Sequence, residues 1–107
     1  MDLIAVYTTV ADERQAELLA TAAIESQLAA CVQAEQISSS YLWQGQLERT
    51  AEIRLLLKTT RRAYPRLQQL LLELHPYELP AIFAIPLWEA TPAYRQWVEQ
   101  AITVNQV

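Results

Sequence analysis

A chain of 107 residues, 52% of them hydrophobic, is the size of one domain and has enough apolar material for a genuine core. The net charge is -4 and Lys58 is the single lysine, so no concentrated positive charge is available for phosphates and nucleic acid is excluded as a partner. One cysteine, Cys31, permits no internal disulfide, the first residues lack the pattern of a leader, and no apolar stretch approaches the roughly 20 residues of a membrane span; the expectation is one cytoplasmic domain over residues 1–107.

Leu3 to Thr9 reads as a first strand, apolar on both faces until it ends in Thr8 and Thr9. Asp12 is placed to cap a helix with Gln15 at its third position, and Ala16, Leu19, Ala20 and Ala23 form the apolar stripe of a helix that ends near Gln27. From Ala30 to Trp43 the chain is extended, and Gln44-Gly45 makes a tight turn. Gln46 to Thr59 then alternates, with Leu47, Ala51, Ile53, Leu55 and Leu57 on one side and Glu48, Thr50, Glu52, Arg54 and Lys58 on the other. Pairing Trp43 with Gln46 sets Val32 against Leu57, Ala34 against Leu55 and Glu35 against Arg54. Apolar meets apolar and charge meets charge, so the register supports itself.

Arg62 to Leu74 carries Tyr64, Leu67, Leu70, Leu71 and Leu74 at helical spacing, with Pro65 acceptable only in the first turn. Ala81 to Leu87 has no polar alternation and is expected as a buried strand. Thr91 and Pro92 open a last helix bearing Tyr94, Trp97, Val98 and Ala101. The order β-α-β-β-α-β-α defines an α+β, ferredoxin-like domain: a four-stranded antiparallel sheet in the order 4-1-3-2, with the first two helices on one face, a C-terminal helix, and a long hairpin between strands two and three.

That arrangement leaves a second face open, although Leu3, Ile4, Ala5 and Val6 of the first strand and Ile82, Phe83 and Ile85 of the fourth are apolar on both sides. Exposed apolar surface costs about 25 cal/mol per Å2. The hairpin strands, about 40 Å long at 3.3 Å per residue, overhang the domain and carry Ile37, Tyr41 and Trp43 away from the helices. Both features point to self-association.

Six segments in order resemble the CutA divalent-cation tolerance family over essentially the whole chain. They are Asp12-Glu13, Leu28-Ala29-Ala30-Cys31, Tyr41-Leu42-Trp43-Gln44-Gly45, Leu57-Lys58-Thr59, His75-Pro76-Tyr77-Glu78-Leu79-Pro80, and Tyr94 with Trp97. The resemblance implies a ferredoxin-like subunit in a tight homotrimer, cytoplasmic in bacteria, linked to divalent metals and copper above all, with no established catalytic activity. Glu35-Gln36 stands where family members often have Pro-Gly, Val10-Ala11 where a proline commonly precedes the Asp, and Thr8 where some have a cysteine, so a soft ligand for copper(I) is missing.

His75, the only histidine, is the leading ligand candidate, with Glu78 beside it; an imidazole and a carboxylate suit Cu(II) or Zn(II), but two ligands fall short of the three or four a firm site needs. Topology brings Thr8, Thr9 and Tyr77 to the same end of the sheet and puts Cys31, expected across from Lys58, at the other end, roughly 20 Å or more away. A helix-end histidine bonded to backbone and a small buried cysteine are the structural alternatives. Trp43, Trp88 and Trp97 are expected in core or interface packing, and Arg61, Arg62 and Arg66 at a solvated turn. No Ser-His-Asp order, phosphate loop or CxxC pair supports an enzyme. The expectation is a non-enzymatic homotrimer that binds divalent cations weakly in metal (copper) tolerance. The alternatives are a PII-like small-molecule sensing trimer and a structural scaffold.

Overall fold

Capping and turn chemistry set the element boundaries close to where the sequence puts them. In the computed structural model, which describes residues 2–102, β1 (Leu3–Val10) gives way to α1 (Glu13–Glu25) at Asp12. The Asp12 carboxylate accepts from the Gln15 amide at 2.9 Å, and the Gln15 side chain accepts in return from the Ala11 amide at 2.9 Å. Helix α1 closes in a Schellman motif, with Leu28 N–H donating to Ala23 O, Gln27 N–H to Ile24 O, and Gln27 in the left-handed region at φ 60°.

Strands β2 (Cys31–Trp43) and β3 (Gln46–Thr60) join through Gln44 at φ 53° and Gly45 at φ 80°, the two-residue turn whose twist suits a hairpin. The register is the expected one: Trp43 pairs with Gln46, Glu35 with Arg54, Ala34 with Leu55 and Val32 with Leu57. The Glu35–Arg54 pair closes at 2.8 Å. Helix α2 (Tyr64–Leu74) begins after a turn over residues 61–63 rather than at Arg62, which leaves Pro65 in its first turn. Strand β4 (Ile82–Pro86) is followed by α3 (Pro92–Ala101), capped by Thr91 Oγ1 accepting from the Tyr94 amide at 3.3 Å.

The sheet order is β2-β3-β1-β4, antiparallel throughout, which is 4-1-3-2 read from the other edge. Helices α1 and α2 cover one face, and Leu19, Leu67 and Leu71 meet Ile4, Val6, Val10, Ile53, Leu55 and Leu57 in the core. Each such leucine stabilises the fold by about 1.5–3 kcal/mol.

The second face is not wholly open, because α3 returns across it. Lys58 Nζ lies 5.7 Å from the centre of the Tyr94 ring, and Leu3 and Ala5, on the Lys58 side of the sheet, are buried together with Val98. Beyond α3 the face stays bare: Tyr7 and Phe83 stack at 5.4 Å between centroids, and Phe83 and Ile85 are 49% and 46% exposed. The expectation that β4 is buried therefore fails within one chain, since β4 is an edge strand with β1 as its one strand neighbour among the described residues. Trp97 stacks on Tyr94 at 5.8 Å but is half exposed, and Trp88 is 89% exposed, so neither packs in the subunit core.

Candidate functional site

His75 caps the end of α2, its amide donating to Leu71 O at 2.9 Å, and its extended backbone turns the ring toward the end of β1. There Nε2 lies 2.9 Å from Thr9 O and 3.1 Å from the buried Thr8 Oγ1. A carbonyl can only accept, so Nε2 carries the proton and Nδ1 the lone pair, which accepts from the Tyr77 amide at 3.2 Å. Burial holds the imidazole below its ordinary 6.5, opposed by the Thr9 carbonyl bond and the Glu52 charge. The ring is a neutral, doubly bonded group.

Tyr77 carries this geometry outward. Its ring meets the His75 ring edge-on at 4.8 Å, and its hydroxyl donates to Glu52 Oε2 at 2.7 Å. The other oxygen of the same carboxylate accepts from Ser39 Oγ at 2.6 Å. Burial and then the Glu52 carboxylate push the Tyr77 phenol well above its ordinary range, so it stays a donor. A chain of hydrogen bonds thus runs from the end of β1 through His75 and Tyr77 to both arms of the hairpin.

Glu52 is the member that sequence reasoning did not single out. The alternation of β3 does put it on the open side with Arg54, one repeat past the residue paired with Thr9. Glu78, expected beside His75, is exposed. Cys31 faces Lys58, four residues along β3 from Arg54, the partner of Thr9. That is about 13 Å along the strands and two strand spacings across, so Cys31 and His75 do not meet in one chain, although the separation along the strands is shorter than expected. Lys58 Nζ donates to Gln33 Oε1 at 3.0 Å, and Arg61 reaches Asp2 at 3.4 Å on the surface.

The donor types at His75 and Glu78, an imidazole held neutral and a carboxylate, fit a borderline divalent cation. Their number is small: among the described residues no group of three or more His, Cys, Asp or Glu side chains is assembled to hold a metal ion. The Nδ1 lone pair of His75 is already engaged by the Tyr77 amide.

The fold defines a ferredoxin-like α+β domain with a closing third helix, a partly bare sheet and a hairpin that projects beyond β1. The chain belongs to the CutA1 divalent ion tolerance protein family, whose model matches residues 4–101. It is 40% identical over 96 residues to the divalent-cation tolerance protein CutA of Thermus thermophilus, covering 89% of this chain and 93% of that one. With protein CutA of Mus musculus it shares 36% identity over 97 residues, 90% of this chain but 55% of the mouse protein. Among solved structures, CutA of Synechococcus elongatus PCC7942 superposes with a TM-score of 0.92 at 40% identity, covering 95% of this chain and 91% of that one. A protein of Archaeoglobus fulgidus described as a periplasmic divalent cation tolerance protein CutA superposes at 0.92 with 27% identity, over 94% and 99% of the two chains. Among the described residues no helix is long and apolar enough to cross a membrane.

Proposed function

We propose that this chain is a non-enzymatic, homotrimeric, cytoplasmic protein that serves divalent-cation tolerance, copper included, and binds such cations weakly. The observation that carries the reading is the family match over residues 4–101. Self-association is supported by the bare half of the second sheet face and by a hairpin tip that is apolar on both sides, with Leu42 and Leu47 74% and 61% exposed beside Tyr41 and Trp43. The unpaired thiol of Cys31 suits a reducing compartment.

His75 and Glu78 are the proposed cation ligands, with water or a carboxylate of a second copy completing the shell. Coordination through Nδ1 displaces the Tyr77 amide, and the loss of that bond, about 1 kcal/mol, keeps the affinity low. Calorimetric titration of the purified protein with Cu(II), Zn(II) and ATP tests the reading. Weak cation binding that His75→Ala abolishes, with no heat from ATP, is the expected result. Tight ATP binding would instead make the protein a nucleotide sensor, and Cu(II) affinity unchanged in His75→Ala would place the ligands elsewhere.

A further inference from the structure

The hairpin has two unlike sections. From Ile53 to Lys58, β3 is flanked by β1 on one side and β2 on the other; before Ile53, among the described residues, β2 is its only strand partner. The projecting section, residues 37–52, receives the Tyr77 hydroxyl on Glu52, whose second oxygen holds Ser39 on the opposite arm. One carboxylate therefore ties both arms to the segment that follows α2. Tyr77 is itself positioned by His75, through the amide bond to Nδ1 and the edge-on ring contact. His75 in turn is anchored on β1 through Thr9 O.

We propose that His75 works as a competitive switch: it either props the projecting hairpin through Tyr77 and Glu52 or coordinates a divalent cation, and cation binding therefore frees the hairpin. The inference rests on the reading that His75 is a cation ligand. Its physical basis is the single lone pair of a neutral imidazole whose other nitrogen donates to a carbonyl. The Tyr77 amide and a cation need that same lone pair. A cation that takes it must push away the backbone of Tyr77, and the hydroxyl that reaches Glu52 is carried on that backbone. The hairpin is the apolar arm proposed above for assembly, so the switch links cation level to the freedom of an assembly element.

Hydrogen exchange of the intact protein, followed by mass spectrometry with and without Zn(II) and with binding measured in parallel, tests the switch. Zn(II) should speed exchange of amides in residues 37–52 about five-fold, the effect of losing one ordinary hydrogen bond, and leave residues 53–60 unchanged. Tyr77→Phe, which removes only the hydroxyl, should give the same acceleration without Zn(II) and no further response to it. His75-dependent Zn(II) binding with hairpin exchange unmoved would overturn the switch while leaving His75 as a ligand. Zn(II) binding that is absent, or untouched by His75→Ala, would overturn both. Hairpin exchange unaltered by Tyr77→Phe would overturn the prop itself.

Discussion

The two sections of the β2–β3 hairpin are written in the same alternating pattern, yet they meet different fates. In the section next to β1, Ile53, Leu55 and Leu57 enter the core under the helices and are buried. In the projecting section, Leu42 and Leu47 continue the same row and stand in solvent. The hydrogen-bond ladder between the two strands is continuous across both. What differs is the third layer: α1, α2 and β1 supply it near the base, and nothing in the described chain supplies it at the tip. Alternation specifies which face is apolar, not whether that face has a partner within one subunit.

The comparison breaks first at the base. Leu57→Ala should leave a cavity under the helices and lower the unfolding free energy by about 2–5 kcal/mol, measured by denaturant titration. Leu47→Ala, made in the same row, should barely alter subunit folding and instead weaken assembly; equal losses for the two would erase the distinction between the sections. Trp43→Ala at the tip should cost the assembly about 2 kcal/mol or more, read as faster dissociation on dilution in sedimentation runs.

A smaller effect concerns the prop between the sections. Burial lowers the His75 pKa from 6.5, so the unfolded chain takes up a proton before the folded one does. The stability from this group is complete above pH 6.5 and declines as the pH falls through 6.5 toward the lowered folded value. Denaturant titrations at stepped pH should show that decline, and His75→Gln should flatten it. The smallest effect lies away from the hairpin: Gln27 holds φ 60° in the Schellman turn, and Gln27→Gly should raise the melting free energy by a few tenths to about 1 kcal/mol.

How much of this was readable beforehand follows the same division. The hairpin register was legible because a two-residue turn and one Glu–Arg pair fix it, and the meeting of His75 with Thr8 and Thr9 followed from antiparallel topology. Glu52 was legible only as a residue on the open side. That Tyr77 reaches it depends on the path residues 75–80 take between α2 and β4, and a non-repeating segment carries no periodic signal. The return of α3 over Leu3 and Ala5 was equally hidden, since an apolar stripe says that a helix is covered and not by which surface. The apolar run of β4 reads the same whether its cover is a helix of its own chain or another copy.

The central claim is that surfaces left bare in one chain are completed by two further copies. Sedimentation equilibrium of the purified protein at micromolar concentration tests it most directly. The account predicts a single species of three chain masses, and a stable monomer carrying the open sheet face and the free hairpin tip would contradict it.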